Sequence, residues 1–226
     1  KDDGIVCVLL RGRGDRAFCA GGEVRSLTEA CRAHPGEVPP LAAQFFAAEY
    51  RLDYDLHHYP KPLLCWGHGH VLGGGMGLLQ AASVRIVTPS SRLAMPEISI
   101  GLYPDVGAGW FLNRLPGRLG LFLGLTGAPI NARDALDLGL ADRFMDDAQQ
   151  DDLLTGLLQL NWQEQTALQL NSLLKALEQR ALAQRPPAQW LPRRAQIDAL
   201  LDVSDPVCAW RAIAHCRAHD DAVLAK

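Results

Sequence analysis

Apolar positions come in two textures along this chain: short unbroken runs early on, and spaced, helix-like repeats that dominate toward the end. Residues 5–10 (IVCVLL) form an unbroken run rich in β-branched side chains, which predicts a strand buried on both faces, as in a parallel sheet covered by helices. A second run, residues 63–66, leads to a glycine-dense turn (Gly73, Gly74, Gly75, Gly77) and then to an apolar segment of helical character over residues 76–82. The pattern there is strand, flexible cradle, helix. Residues 84–88 (VRIVT) predict another short strand. Helices are predicted over 24–33 and 41–59, the second with an aromatic stripe of Phe45, Phe46 and Tyr50 suited to core or interface packing. Pro60-Lys61-Pro62 ends that helix, because proline disfavours the α region in the residue before it. Helical patterns continue over 106–115, 118–125, 132–138 with Asn131 as cap, 147–183 with breaks, 196–201 and 206–218; a short strand crosses at 140–145 and Pro186-Pro187 marks a linker. Strands alternating with helices early, and helices alone late, predict an α/β core over residues 1–145 followed by a helical region over 146–226.

Composition narrows the partners. The 226 residues suffice for one sizeable core, and 48% apolar with 21% charged is ordinary for a globular chain. Net charge is −3 with Lys and Arg scattered, so neither nucleic acid nor an anionic membrane is expected as partner, while a few basic residues could still grip one anionic ligand. The six cysteines (Cys7, Cys19, Cys31, Cys65, Cys208, Cys216) are far apart and form no C-x2-C pair; they read as buried thiols of a reducing compartment. No apolar stretch approaches the ~20 residues a membrane span needs. A soluble, cytoplasmic protein is expected. The chain enters a strand almost directly after Lys1-Asp2-Asp3-Gly4 and stops in a helical pattern at Lys226, so both ends are expected to be cut from a longer polypeptide.

The candidate chemistry gathers at the cradle. Glycines let the backbone approach a ligand without a Cβ in the way, and the free amides of a new helix attract negative charge, so this turn suits an anion or a developing oxyanion. Downstream, Glu97 and Asp105 each follow a proline in a segment with too many turn residues for one regular helix. The plainer reading of Asp105 is the N-cap of the helix that follows, and that of Glu97 a surface residue, although Met95, Ile98 and Ile100 around it argue for partial burial and a raised pKa. Gly12-x-Gly14-x-x-Ala17 mimics a dinucleotide fingerprint, but another turn follows where a helix should open, and the acidic candidate Glu37 lies in a proline-flanked loop. Gly21-Gly22 is the better place for a backbone amide to meet a ligand, with a tight turn as the plain alternative. No G-x-S-x-G elbow or G-x-x-x-x-G-K-[ST] loop is present, and His68-Gly69-His70 has no further histidines at successive strand ends to complete a metal site.

These residues carry a resemblance. The segments RAFCAGGEV (16–24), HGHVLGGGMGL (68–78), MPEISIGLYPDVGAGWFLNRLPG (95–117) and LTGAPINARDALDLGLADRFM (125–145) resemble the crotonase, or enoyl-CoA hydratase/isomerase, superfamily, most of all its 3-hydroxyisobutyryl-CoA hydrolase branch. The match is dense up to Met145 and thinner beyond. It implies a crotonase-like spiral of ββα repeats with a helical C-terminal region, and an acyl-CoA substrate whose thioester oxygen sits between the backbone amides of Gly22 and Gly74. It also implies no cofactor other than the coenzyme A of the substrate, no metal, and a homo-oligomer built on trimers. Hydratases of the superfamily carry one glutamate just after the GGG turn and another in the P-E segment; here the first position is Gly77 and the second is Glu97. The hydrolase branch adds an aspartate in P-D-V-G, here Asp105, while Glu23 stands where aspartate is more usual. The implied function is acyl-CoA thioester hydrolysis by Glu97 and Asp105, with a hydratase or isomerase of the same superfamily and a non-catalytic CoA-binding or assembly subunit as the alternatives.

Overall fold

All five residues of β3 (Leu63–Gly67) are buried, and in the computed structural model of the chain, which describes residues 2–164, 166–203 and 205–218, the rest is laid around this strand. On one side β3 pairs in parallel with β1 (Val8–Arg11), on the other with β5 (Val84–Val87), and β5 pairs in parallel with β8 (Arg143–Phe144). Successive residues of a strand face opposite sides, and β3 uses both. Leu63 and Cys65 enter a cluster with Val71, Leu79 and Phe122, whereas Leu64 and Trp66 enter a second with Ile86, Met145 and Leu153. That is why the run is apolar without alternation.

A second sheet lies alongside, made of β2 (Ala17–Cys19), β4 (His70–Leu72), β6 (Arg92–Ala94) and β7 (Ile130–Asn131), in that order, with only β7 antiparallel. Three strands of the first sheet are each followed in the chain by one of the second: β1 by β2, β3 by β4, β5 by β6. Helices α1 (Val24–Ala33) and α2 (Pro40–His57) follow β2, and α3 (Gly74–Ala81) follows β4. The result is a rising spiral of strand, strand and helix.

Several sequence expectations shift. The first strand starts at Val8 rather than residue 5, leaving Ile5 and Val6 exposed at 42% and 45%. The helix expected over 106–115 is instead α4 (Ala108–Phe111) followed by a 3-10 turn over Leu112–Arg114. After α5 (Leu119–Thr126), Asn131 caps α6 (Ala132–Asp137) as expected, in a reciprocal box with Asp134. The helical region consists of α7 (Gln150–Gln159), α8 (Thr166–Ala181), α9 (Arg194–Leu200) and α10 (Pro206–Ala218); the helical pattern read to Lys226 ends outside the described residues. Ala181, Trp190, Ile197 and Ile213 from this region join the same apolar cluster as Leu63. Asn131 Nδ2 donates to the Pro187 carbonyl at 2.9 Å, which pins the proline pair to the core. Of the cysteines, Cys65 and Cys216 are buried, but Cys31 is exposed.

Candidate active site

The first turn and a half of α3 is a face without side chains, and carboxylates lie against it. Gly73 enters the helix at φ +53°, a left-handed backbone that favours glycine, with its amide held by the Ala94 carbonyl at 3.1 Å. A Cβ at Gly73 would lie 2.7 Å from Oε1 of Glu97, one at Gly74 would run into Oε1 of Glu49, and one at Gly77 would lie 3.1 Å from Oδ2 of Asp53. Positions 73, 74 and 77 share one side of a helix by its 3.6-residue period. Glu97 reaches that side from the loop after β6, while Glu49 and Asp53 reach it from α2, where a spacing of four puts them on one face.

The Gly21-Gly22 turn closes the near end. A Cβ on Gly21 would lie 3.9 Å from the Gly74 nitrogen, and one on Gly74 would lie 3.8 Å from the Gly21 Cα, so the two turns adjoin. The ring of Phe45 lies against Gly22 with no space for a Cβ between them. The amides of Gly22 and Gly74 donate to no protein acceptor among the described residues. Glu23 accepts from the amides of Arg25 and Ser26 at 3.2 and 2.7 Å and so caps α1. Its role is to hold this turn's exit, and a glutamate does so as an aspartate would.

Glu97 is 7% exposed, and its Oε2 is buried with no partner among the described residues. Burial raises its pKa above the ordinary carboxylate range, its own backbone amide partly offsets this, and the charges of Asp105 and Glu49 add to the rise. The surface reading of Glu97 therefore does not hold. Asp105 is not a helix cap either: Gly107, in a left-handed conformation, precedes α4, and Oδ2 of Asp105 accepts from the Tyr50 hydroxyl at 2.7 Å. Burial and this bond to an anion push the Tyr50 phenol well above its usual range, so it stays a donor.

Next to Asp105, Val106 is the one non-glycine residue with positive φ among those described, at +40°. A β-branched residue there is strained by roughly 1–3 kcal/mol. Its Cβ would be 2.6 Å from a Cβ on Gly77. Gly77 thus has no room for a side chain while Val106 and Asp53 stay in place. A cavity of about 910 Å³ opens beside these groups, walled by Tyr50, Asp53, Gly77, Tyr103, Asp105 and Val106 among others.

Glycine density marked the two turns and the P-x carboxylates marked Glu97 and Asp105, the resemblance singled out the amides of Gly22 and Gly74, and the structure places all four residues in this region. Sequence reasoning missed Glu49 and Asp53. A signal existed: they continue the line of Phe45 at steps of four along a helix read only for its aromatic stripe. Phe45 and Tyr50 do pack, but against Gly22 and Asp105. His68 is buried, with Nε2 bonded to the Gly14 carbonyl at 2.8 Å, and His70 is exposed.

Comparisons with known proteins show the family and the fold. The sequence matches the profile of the enoyl-CoA hydratase/isomerase family over residues 1–225. The zebrafish (Danio rerio) protein named 3-hydroxyisobutyryl-CoA hydrolase, mitochondrial, is 41% identical over 160 residues, or 71% of this chain and 41% of that protein. Its Homo sapiens namesake is 41% identical over 146 residues, 65% of this chain and 37% of that protein. The Arabidopsis thaliana protein 3-hydroxyisobutyryl-CoA hydrolase 1 is 38% identical over 166 residues, 74% and 43%. The chain thus spans about two-fifths of the length of these relatives. Among solved structures, a carnitinyl-CoA dehydratase from Mycobacterium thermoresistibile superposes with a TM-score of 0.78 at 36% identity, covering 97% of this chain and 59% of that one. An enoyl-CoA hydratase from Rhodobacter sphaeroides 2.4.1 gives 0.70 at 33%, covering 92% and 60%. The crotonase-type α/β fold expected from the resemblance is the fold observed. The two vertebrate relatives carry "mitochondrial" in their names, so nothing in the comparisons supports the cytoplasmic expectation.

Proposed function

The chain belongs to the enoyl-CoA hydratase/isomerase family, and on that premise we propose that it hydrolyses an acyl-CoA thioester of the 3-hydroxyisobutyryl-CoA type, with no cofactor beyond the coenzyme A of the substrate. The observation that carries the reading is Glu97: a buried carboxylate with a raised pKa and an unpartnered oxygen, lying against a glycine face with two unengaged amides in adjoining turns. In the proposed reaction the thioester oxygen sits between the Gly22 and Gly74 amides. An oxygen nucleophile, either Glu97 itself or a water from which Glu97 takes a proton, adds to the carbonyl carbon. The carbon–oxygen π pair moves onto the oxygen held by the amides, then returns as the carbon–sulfur bond breaks. On the general-base route the departing thiolate takes up the proton that Glu97 removed from water; on the covalent route Glu97 carries the acyl group, and the thiolate takes up its proton by way of Asp105 from the water that later cleaves the anhydride. Donors fixed before reaction are effective, and losing one costs roughly 3 kcal/mol of barrier. If Glu97 attacks directly, a second water cleaves the acyl-glutamyl anhydride. Single turnover in oxygen-18 water separates the routes, because label enters Glu97 only on the covalent path.

A hydratase or isomerase is the second reading, favoured by the likeness to the carnitinyl-CoA dehydratase. The crowding at Gly77, which leaves no place for a glutamate after the GGG turn, weighs against it. A CoA-binding subunit without turnover is the third. Thiol release from a panel of acyl-CoAs, measured beside the absorbance of crotonyl-CoA, distinguishes them. Hydrolysis predicts thiol release, hydration predicts absorbance loss without thiol, and the third reading predicts neither. Self-association as a trimer or a multiple of it is proposed by family analogy.

A further inference from the structure

The mechanism uses Glu97, Asp105 and two amides, but it leaves Asp53 unemployed. Asp53 lies on the wall of the 910 Å³ cavity, and both of its carboxyl oxygens are shielded from solvent with no hydrogen-bond partner among the described residues. An isolated buried carboxyl is costly unless something pairs with it, and among the described residues no cation pairs with Asp53. Arg85, on the same wall, is held by Asp142 at 2.7 Å and also by Gln80 and the Gly139 carbonyl. His57, four residues on along α2, lines the cavity but makes no bond to Asp53. The charges that do reach Asp53, those of Glu49 and Asp105, have its own sign and, after burial, push its pKa up to about 7. A carboxyl that is half neutral near pH 7 is a poor counter-ion but a good partner for a hydroxyl, which both donates and accepts.

Position along α3 defines where that hydroxyl would be. Glu97 lies over Gly73, and Asp53 lies over Gly77 four residues further on, an interval of about 6 Å along the helix axis. Glu97, nine-tenths buried with Oε2 unpartnered, faces the same glycine side. A group bonded to Asp53 would therefore lie a short carbon chain away from a carbonyl at Glu97.

We propose that Asp53 is the specificity-determining residue of this cavity, its carboxyl group hydrogen-bonding a hydroxyl carried two carbons from the thioester carbonyl of the acyl chain. This rests on the reading of the site as one for acyl-CoA thioesters. The test compares 3-hydroxyisobutyryl-CoA with isobutyryl-CoA, which has the same skeleton without the hydroxyl, on the wild-type full chain, Asp53→Asn and Asp53→Ala. Thiol release gives kcat/KM, titration calorimetry gives Kd, and thermal melting shows that each variant folds. The wild type is expected to prefer the hydroxylated thioester at least tenfold in both quantities. Asp53→Ala should lower that preference at least tenfold, and Asp53→Asn, which keeps a hydrogen-bonding group, should retain part of it. Equal losses on the two thioesters, an unchanged preference, or a wild type indifferent to the hydroxyl would each overturn the proposal. Should the wild type release thiol from neither, the hydrolase reading falls while the ratio of Kd values still decides the role of Asp53. Failure to bind either thioester overturns both.

Discussion

At the scale of single residues, the site is a group of acids held where acids are unfavourable. Burial raises Glu97, Glu49 and Asp53, the charge of Asp105 adds to all three, and that of Glu49 adds to Glu97 and Asp53. The sign of the consequence follows from linkage. The folded pKa of Asp53, about 7, lies above its ordinary 3.8, so between those values the native state binds a proton that the unfolded chain has lost. Stability contributed by Asp53 is present in full below about pH 4 and is lost as pH rises through 7. Thermal melts across this window should show the melting temperature falling toward pH 8. Asp53→Asn should flatten the fall and raise stability at pH 8 by about 1 kcal/mol, discounted for the partial exposure of the side chain. A steeper fall in the variant would contradict the assignment. Tyr50→Phe removes the hydrogen bond that orients Asp105. It is expected to lower kcat for thiol release by about tenfold, the equivalent of one hydrogen bond to a charged group, with little change in the melt.

At the scale of elements, α3 and the loop carrying Val106 fit together only because residue 77 has no side chain. Gly77→Ala should therefore destabilise by roughly 1–3 kcal/mol in urea unfolding, the usual penalty of overpacking. Gly77→Glu should not gain hydration of crotonyl-CoA, because its side chain meets Val106 and Asp53 before it reaches substrate. Elements of this size were unequally legible in the sequence. β3 and α1 begin where the apolar pattern places them, α2 and α10 keep their expected extents to within two residues, and Asn131 caps α6, because each has a long enough run or a distinctive cap. The whole second sheet was invisible. β2, β4, β6 and β7 have two or three residues each, too few to show a period of two, and Gly69 and Gly73 flanking β4 read as turn. Their partners are strands from other turns of the spiral, so pairing is fixed by the fold and not by local pattern. The face of α2 carrying Glu49 and Asp53 was likewise hidden, since only the position of α3 shows which side of α2 meets the site.

At the scale of the whole molecule, a spiral sheet brings segments distant in sequence to one point: the turn after β2, the start of α3, the loop after β6 and one face of α2. Glycine patterns and two proline-flanked acids made most of that point legible, and family resemblance supplied the fold that joins them. What was missing was a decisive measure of burial, since the apolar neighbours Met95, Ile98 and Ile100 argued for a partly buried Glu97 without excluding the surface. Sequence alone left Glu97 and Asp105 with equally plain surface and capping roles, which the 7% exposure of Glu97 and the Tyr50 bond remove. The C-terminal helices complete the same core, Trp190 donating Nε1 to the Pro129 carbonyl at 2.9 Å and Ile197 packing with no exposure. Removing them is expected to expose the apolar cluster shared with β3 and to abolish cooperative unfolding, readable by denaturant titration of a chain ending at residue 145.

The central claim is that Glu97, at the glycine face, performs the chemistry. Single-turnover thiol release from 3-hydroxyisobutyryl-CoA, compared between wild type and Glu97→Gln, tests it most directly. The account predicts release by the wild type and a rate lower by at least about 10²–10⁴-fold in the variant, with the variant folded and its affinity for the thioester retained. Thiol release by Glu97→Gln at the wild-type rate would contradict it.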